Sequence, residues 1–228
     1  MVSSQVIVVE KQRFFQKVFG WMVAGLFMTG IIAYSLTSNP LVVKYFIDHP
    51  FVFWGFILSE ALLVIFLSIF MYKLPLFLVT LGFFVYAALN GVTLTLLLSY
   101  FKQGTIFSAF FITAGMFAVF ALYGFFTKTD LTRFSSILAM FVIGLILASL
   151  VNLLFFKSSF FDLLVSYITV GLFCIITALD IQSLKKIYEQ GTYNQDSLER
   201  LSILGALTLY LDFIVIFQNL LNILGRDD

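Results

Sequence analysis

The sequence predicts an all-α integral membrane protein with seven transmembrane helices. Three observations carry this. Of 228 residues, 61% are hydrophobic and 11% charged, whereas a soluble domain carries about 25% charge. Thirty phenylalanines add apolar area without breaking helices. Runs long enough to cross the hydrocarbon core, roughly 20 apolar residues, recur along the whole chain. A soluble globule of this size has no interior for so much apolar surface, and a bilayer accepts it.

The runs are Val18–Leu36, Phe51–Met71, Leu76–Phe101, Ile106–Phe126, Phe134–Phe156, Phe161–Ile181 and Ile203–Leu224. Turn chemistry separates them. Ser38-Asn39-Pro40 and Asp48-His49-Pro50 bound the first loop, and Lys73-Leu74-Pro75 parts spans two and three. Lys128-Thr129-Asp130 with Arg133 parts spans four and five. Residues 1–17 are expected to form a short cytoplasmic N-terminal segment, and the stretch from about 182 to 202 reads as one long polar cytoplasmic loop, whose start can also be an inward extension of span six by a turn or two. The whole is expected to be a single seven-helix membrane domain. The first run has a basic flank but no small-residue cleavage site after it, so it is expected to be retained as a helix.

With the N-terminus in the cytoplasm, nine of the thirteen basic residues fall inside: Lys11, Arg13, Lys17, Lys73, Lys128, Arg133, Lys185, Lys186 and Arg200. Lys44, Lys102, Lys157 and Arg226 fall outside. This asymmetry obeys the positive-inside rule. If the seventh run crosses fully, the C-terminus lies outside; if it re-enters, the C-terminus returns inside.

Several function classes lose support. A net charge of +1 gives no electrostatic footprint for nucleic acid. A single cysteine, Cys174 in an apolar run, allows no internal disulfide, and a single histidine, His49, has no second histidine with which to share a metal. No Ser/His/Asp set, metal cluster or nucleotide loop is apparent. The Gly-x-Gly-Asp pattern of intramembrane aspartyl proteases is absent. No enzyme and no cofactor is expected. The bilayer itself is the one partner that composition names, and protein partners are unknown.

Setting aside Asp162 at the very start of span six, three acids, Glu60, Asp180 and Asp212, lie inside spans that hold no lysine or arginine. A charge near the middle of a membrane helix costs about 3 kcal/mol on insertion scales. The bland alternative is a protonated carboxyl that only locks helices together, and three acids without a basic partner weigh against it. At 100° per residue, Gly205, Thr208, Asp212 and Asn219 share one face of span seven, with Asn222 beside it. Ser166, Thr169, Thr177 and Asp180 line one side of span six. Gly82, Tyr86, Asn90 and Thr93 do so on span three, and Asn152 adds an amide from span five. Polar stripes in a bilayer face other helices or a wet cavity, so these residues predict a polar bundle interior. Glu60, Asn90, Thr208 and Asn219 are the candidates for an ion path through it.

Two stretches carry a resemblance. Thr177-Ala-Leu-Asp180-Ile-Gln182, together with Gly205-Ala-Leu-Thr-Leu-Tyr-Leu-Asp212-Phe-Ile214, Phe217-Gln-Asn-Leu-Leu221 and Gly225, resembles the Bax-inhibitor family, also called the transmembrane Bax inhibitor motif family. The chain looks like a bacterial member, which implies a bacterial plasma membrane. The motif covers the last third, while length and helix count fit throughout. The resemblance implies that span seven is central and wrapped by the other six. It implies a pH-sensitive calcium leak in which Asp180 and Asp212 are the proton sensor and Glu60 lies in the pore. It also implies links to stress and cell death. Bacterial relatives can carry arginine at the inner end of span two, where this chain reads Phe70-Met71-Tyr72-Lys73; Lys73 is no guanidinium fork.

On this expectation the two aspartates share a proton and titrate as one unit. Loss of that proton loosens span seven and opens a path for Ca²⁺, which wants several oxygen ligands. Asp180 and Asp212 would bind it weakly and transiently, as passage requires, with Ca²⁺ as the transported ion. Two other readings stay open: a proton-coupled transporter using the same acids as carriers, and a non-transport membrane regulator of stress or cell-death type.

Overall fold

In the computed structural model, residues 2–70, 73–191 and 194–227 are described. Met71, expected to end span two, and Tyr72 lie outside them. Every regular element among the described residues is helical: α1 (Val2–Thr37), α2 (Pro40–Asp48), α3 (Pro50–Phe70), α4 (Leu76–Leu98), α5 (Gln103–Phe126), α6 (Ser135–Val151), α7 (Ser159–Gln190) and α8 (Gln195–Leu224). A 3₁₀ turn at Leu131–Phe134 precedes α6, and a π turn at Asn152–Phe156 follows it. Seven helical segments are long and apolar enough to cross a membrane, as the sequence predicts. Their outward residues suit lipid: Phe51 is 90% exposed, and Phe27, Phe77 and Phe155 are exposed too. An apolar surface of this extent would drive a soluble protein to aggregate.

Two expectations need correction. The first loop contains a nine-residue helix, α2. Asn39 caps it by accepting from the Leu41 N–H at 3.1 Å, and Pro40 takes the first helical position, where a missing N–H costs nothing. The long polar loop at 182–202 is mostly helix, since α7 runs on to Gln190 and α8 has already begun at Gln195. Its charges mark helix that has left the apolar region rather than helix that has ended. Gln182, Lys185 and Lys186, at i, i+3 and i+4, share one face.

The chain packs as two compact units. The first comprises Met1–Tyr100 and Gly191–Tyr210: α1 to α4 and the first half of α8. Here α4 packs mainly on α1 and also on α3. It buries Val79, Phe83, Tyr86, Ala87, Asn90, Gly91 and Leu94, a heptad-like stripe. A Cβ on Gly91 would sit 2.9 Å from the Thr29 carbonyl oxygen, so α1 and α4 touch almost backbone to backbone, as small residues allow in membranes. Lys17 pairs with Glu199 within this unit.

The second unit comprises Phe101–Gln190 and Leu211–Asp228: α5, α6, α7 and the rest of α8. Here α7 packs on α5 and α6. Phe213 of α8 meets Phe110 and Phe117 edge-on, with ring centroids 5.6 and 5.8 Å apart, the geometry that aligns ring edge with ring face. Of the seven spans, α8 is the most buried, with 72% of its apolar stretch enclosed.

Candidate functional site

Span hydroxyls and amides in this chain mostly serve their own helix. Thr80, Thr95, Thr113 and Thr169 each donate to a carbonyl four residues back. This satisfies a polar group where lipid offers no partner. The residues that depart from this pattern define the site.

In the second unit, Asp180 on α7 and Asp212 on α8 come within hydrogen-bonding reach of each other. Two carboxyls can hydrogen bond only if one holds a proton. Asp212 is 3% exposed, and its Oδ2 is buried with no hydrogen-bond partner. Thr177, one turn before Asp180, donates to the Phe173 carbonyl at 2.8 Å and also lies near Asp212. Cys174, 1% exposed, is a further neighbour of Asp212, a core residue as its apolar run predicts. Among the described residues, no lysine or arginine contributes to the setting of either aspartate. Lys73 lies over the Phe70 ring at 5.9 Å.

Asp180 is followed by a clamp. The Gln182 amide donates to the Thr129 carbonyl and accepts from the Leu131 N–H, both at 2.7 Å. Lys186 reaches Asp130 Oδ1 at 2.5 Å and Thr132 Oγ1 at 2.8 Å. Lys185 donates to the Phe125 carbonyl at 3.1 Å, beside the end of α5. Asp130, outside the spans, is held down to a pKa of about 2, first by the Lys186 hydrogen bond and then by that of Thr132. The α5–α6 connection is thus fastened to α7 within two turns of Asp180.

In the first unit, Glu60 of α3 meets α4. Thr93 Oγ1 donates to its Oε1 at 2.8 Å, and Asn90 Nδ2 donates to its Oε2 at 3.3 Å. Asn90 Oδ1 accepts from the Tyr210 hydroxyl of α8 at 3.0 Å. The Tyr210 hydroxyl also lies 2.7 Å from Thr29 Oγ1 of α1, which donates to the Ala87 carbonyl at 2.8 Å. One polar chain therefore joins α1, α3, α4 and α8.

The structure brings Glu60 and Asn90 together, and Asp180 and Asp212. Thr208 and Asn219 are not joined to either group: Thr208 donates to the Leu204 carbonyl at 3.2 Å and Asn219 to that of Val215 at 2.8 Å. Asn222 instead reaches Ser166 Oγ at 2.8 Å. Asn152 does not line a polar interior. Its amide closes the turn after α6, donating to the Ser158 carbonyl and to Asp162 Oδ1 and accepting from the Ser158 N–H.

Sequence reasoning missed Tyr210 and Thr29 as site residues. The available signal was a tyrosine inside an apolar run, whose buried hydroxyl needs a partner.

These features define a multi-pass membrane protein whose interior acids gather in two polar clusters, one a facing pair of aspartates. Comparison with known proteins places it further. Residues 11–228 match the family described as "Inhibitor of apoptosis-promoting Bax1". The chain is 41% identical over 216 residues to the inner membrane protein YbhL of Escherichia coli (strain K12), covering 94% of this chain and 92% of that one. It is 37% identical to an uncharacterised protein of Borreliella burgdorferi, at 95% and 93% coverage. It is 33% identical to an uncharacterised membrane protein of Streptococcus pyogenes serotype M3, at the same coverage. The chain belongs to the Bax inhibitor family.

Proposed function

We propose that this protein is a pH-sensitive calcium leak gated by the Asp180–Asp212 pair, set in a bacterial inner membrane with its N-terminus in the cytoplasm. The observation that carries the reading is the buried Asp212 carboxyl, one oxygen unpartnered, facing a second carboxyl and no cation. Two carboxylates sheltered from water do not readily both ionise. They hold one proton between them and titrate as a unit. That proton clasps α7 to the second half of α8. When it leaves, the two negative charges repel or take up a cation. A hard cation needs more oxygens than the pair supplies, so Ca²⁺ binds weakly and moves on. No catalytic step and no resident cofactor enters this scheme.

The test is calcium influx into liposomes holding the purified protein, followed with an internal dye from about pH 6 to about pH 8. The leak reading expects influx that rises with pH in wild type and loses its pH response in both D180N and D212N. Wild-type-like pH dependence in both variants overturns pair gating. Absence of influx at every pH overturns the leak and turns attention to proton-coupled transport or a regulatory role.

A further inference from the structure

A primary amide has a donating end and an accepting end, and when buried it must present each to the right partner. Asn90 is 4% exposed and Tyr210 fully buried, so water is no substitute for either end. The amide lies between Glu60 Oε2 at 3.3 Å and the Tyr210 hydroxyl at 3.0 Å. A hydroxyl carries one hydrogen. The Tyr210 hydrogen is directed to Asn90 Oδ1, since the carboxamide oxygen can only accept; Thr29 has one hydrogen to divide between the Ala87 carbonyl and Tyr210. The order then runs from Tyr210 through Asn90 to Glu60.

We propose that Tyr210 is a positioning residue for Glu60: its hydroxyl orients the Asn90 carboxamide so that the NH₂ end faces the Glu60 carboxyl. Thr93, one turn beyond Asn90 on α4, stands 2.8 Å from the other carboxyl oxygen and 3.0 Å from the Asn90 carbonyl, between which its one hydrogen is shared. Each carboxyl oxygen thus has one donor group beside it and keeps a lone pair for a cation or a proton. The groups that face Glu60 are Asn90, Thr93 and Tyr86 from α4 and Tyr210 from α8. Among the described residues, no lysine, arginine or histidine shares its setting. Without the Tyr210 hydrogen the Asn90 oxygen loses its buried donor, and the angle at which the NH₂ end meets the Glu60 carboxyl is no longer held. The proposal deepens the leak reading, on which the relevance of Glu60 to ion passage rests.

Infrared spectra of the full-length protein in liposomes test it without any transport. The Glu60 carboxyl band is isolated in each background by subtracting the spectrum of the same protein carrying E60Q. The band is expected to be displaced in Y210F. It should stay in place in T29V, where Tyr210 keeps its hydrogen, and in D180N. An unmoved band in Y210F overturns the proposal, as does a displacement in T29V as large as in Y210F. If Y210F does not fold, N90L replaces it: the band must then move, and an unmoved band overturns the proposal. Calcium influx in the same liposomes is scored separately, so an absent leak is distinguishable from a wrong hydrogen-bond order.

Discussion

Gly124 of α5 and Ala178 of α7 meet backbone to backbone: a Cβ on Gly124 would lie 2.1 Å from the Ala178 carbonyl oxygen and 2.7 Å from its Cα. Nothing flexible stands there to yield. Ala178 precedes Asp180 by two residues, so this approach helps to set where that carboxyl lies. G124A therefore forces α5 and α7 apart. Overpacking of this kind costs about 1–3 kcal/mol. A lower thermal unfolding temperature in detergent is expected, and an unchanged one would show that the helices separate without cost.

Lys157 is the one non-glycine residue with positive φ among the described residues, at 48°. It closes the π turn by donating its N–H to the Asn152 carbonyl at 2.6 Å. A side chain in the left-handed region costs about 1–2 kcal/mol, which glycine avoids. K157G is expected to raise stability by about 1 kcal/mol, and K157V to lower it, because a β-branched residue tolerates this conformation poorly. Denaturant or thermal unfolding of the two variants checks the opposite signs.

Asn152 is 1% exposed, and its amide makes three hydrogen bonds, two to Ser158 and one to Asp162. N152A leaves the Ser158 backbone groups without their partner, at about 1–3 kcal/mol for a buried unsatisfied group. N152D should be worse than the size of the change suggests, since it sets a carboxylate against Asp162. Unfolding curves for the two variants at low and high salt would show the N152D deficit shrinking as the charges are screened. A deficit independent of salt would argue against repulsion as its cause.

Asp130 supplies a pH test outside the membrane. Its folded pKa of about 2 lies below the ordinary aspartate value of about 3.9. A depressed carboxyl stabilises the fold above its unfolded pKa and loses that contribution as pH falls through the folded value. Asp130 therefore remains a carboxylate throughout the neutral range. D130N should lower stability equally at about pH 6 and about pH 8, and the difference from wild type should fade only below about pH 4. Thermal unfolding across that range measures it. A D130N effect that varies within the neutral range would mean that the carboxyl titrates there.

The seven spans were legible because bilayer thickness leaves a run length in the sequence. Asp180, Asp212 and Glu60 were legible as acids where acids are costly. The pairing of Asp180 with Asp212 came from the family resemblance, and the link from Asn90 to Tyr210 had no such guide, because a hydrogen bond between residues 120 apart leaves no trace in local spacing. The stretch 182–202 misled because its charges resemble loop composition, while Gln182, Lys185 and Lys186 keep helical spacing and spend their polar ends on the α5–α6 connection. The Asn39-Pro40 start of α2 was readable as a cap followed by a first-turn proline and was taken instead as a loop boundary. Asn152 shows the reverse error: an amide counted toward a polar interior serves a turn, and a turn partner six residues away depends on a π geometry that periodicity does not encode.

The uneven burial of the spans bears on how this lineage can vary. The second and fifth spans each have only 6% of their apolar stretch buried, against 72% for the seventh. Lipid does not distinguish leucine from isoleucine, valine or phenylalanine by fit, so descendants can exchange those residues along α3 and α6 with little penalty. On α8 the same exchanges meet close-packed neighbours. Substitutions should therefore accumulate fastest in the two lipid-clad helices, and Glu60 should stand out within α3 as a fixed point in a drifting background.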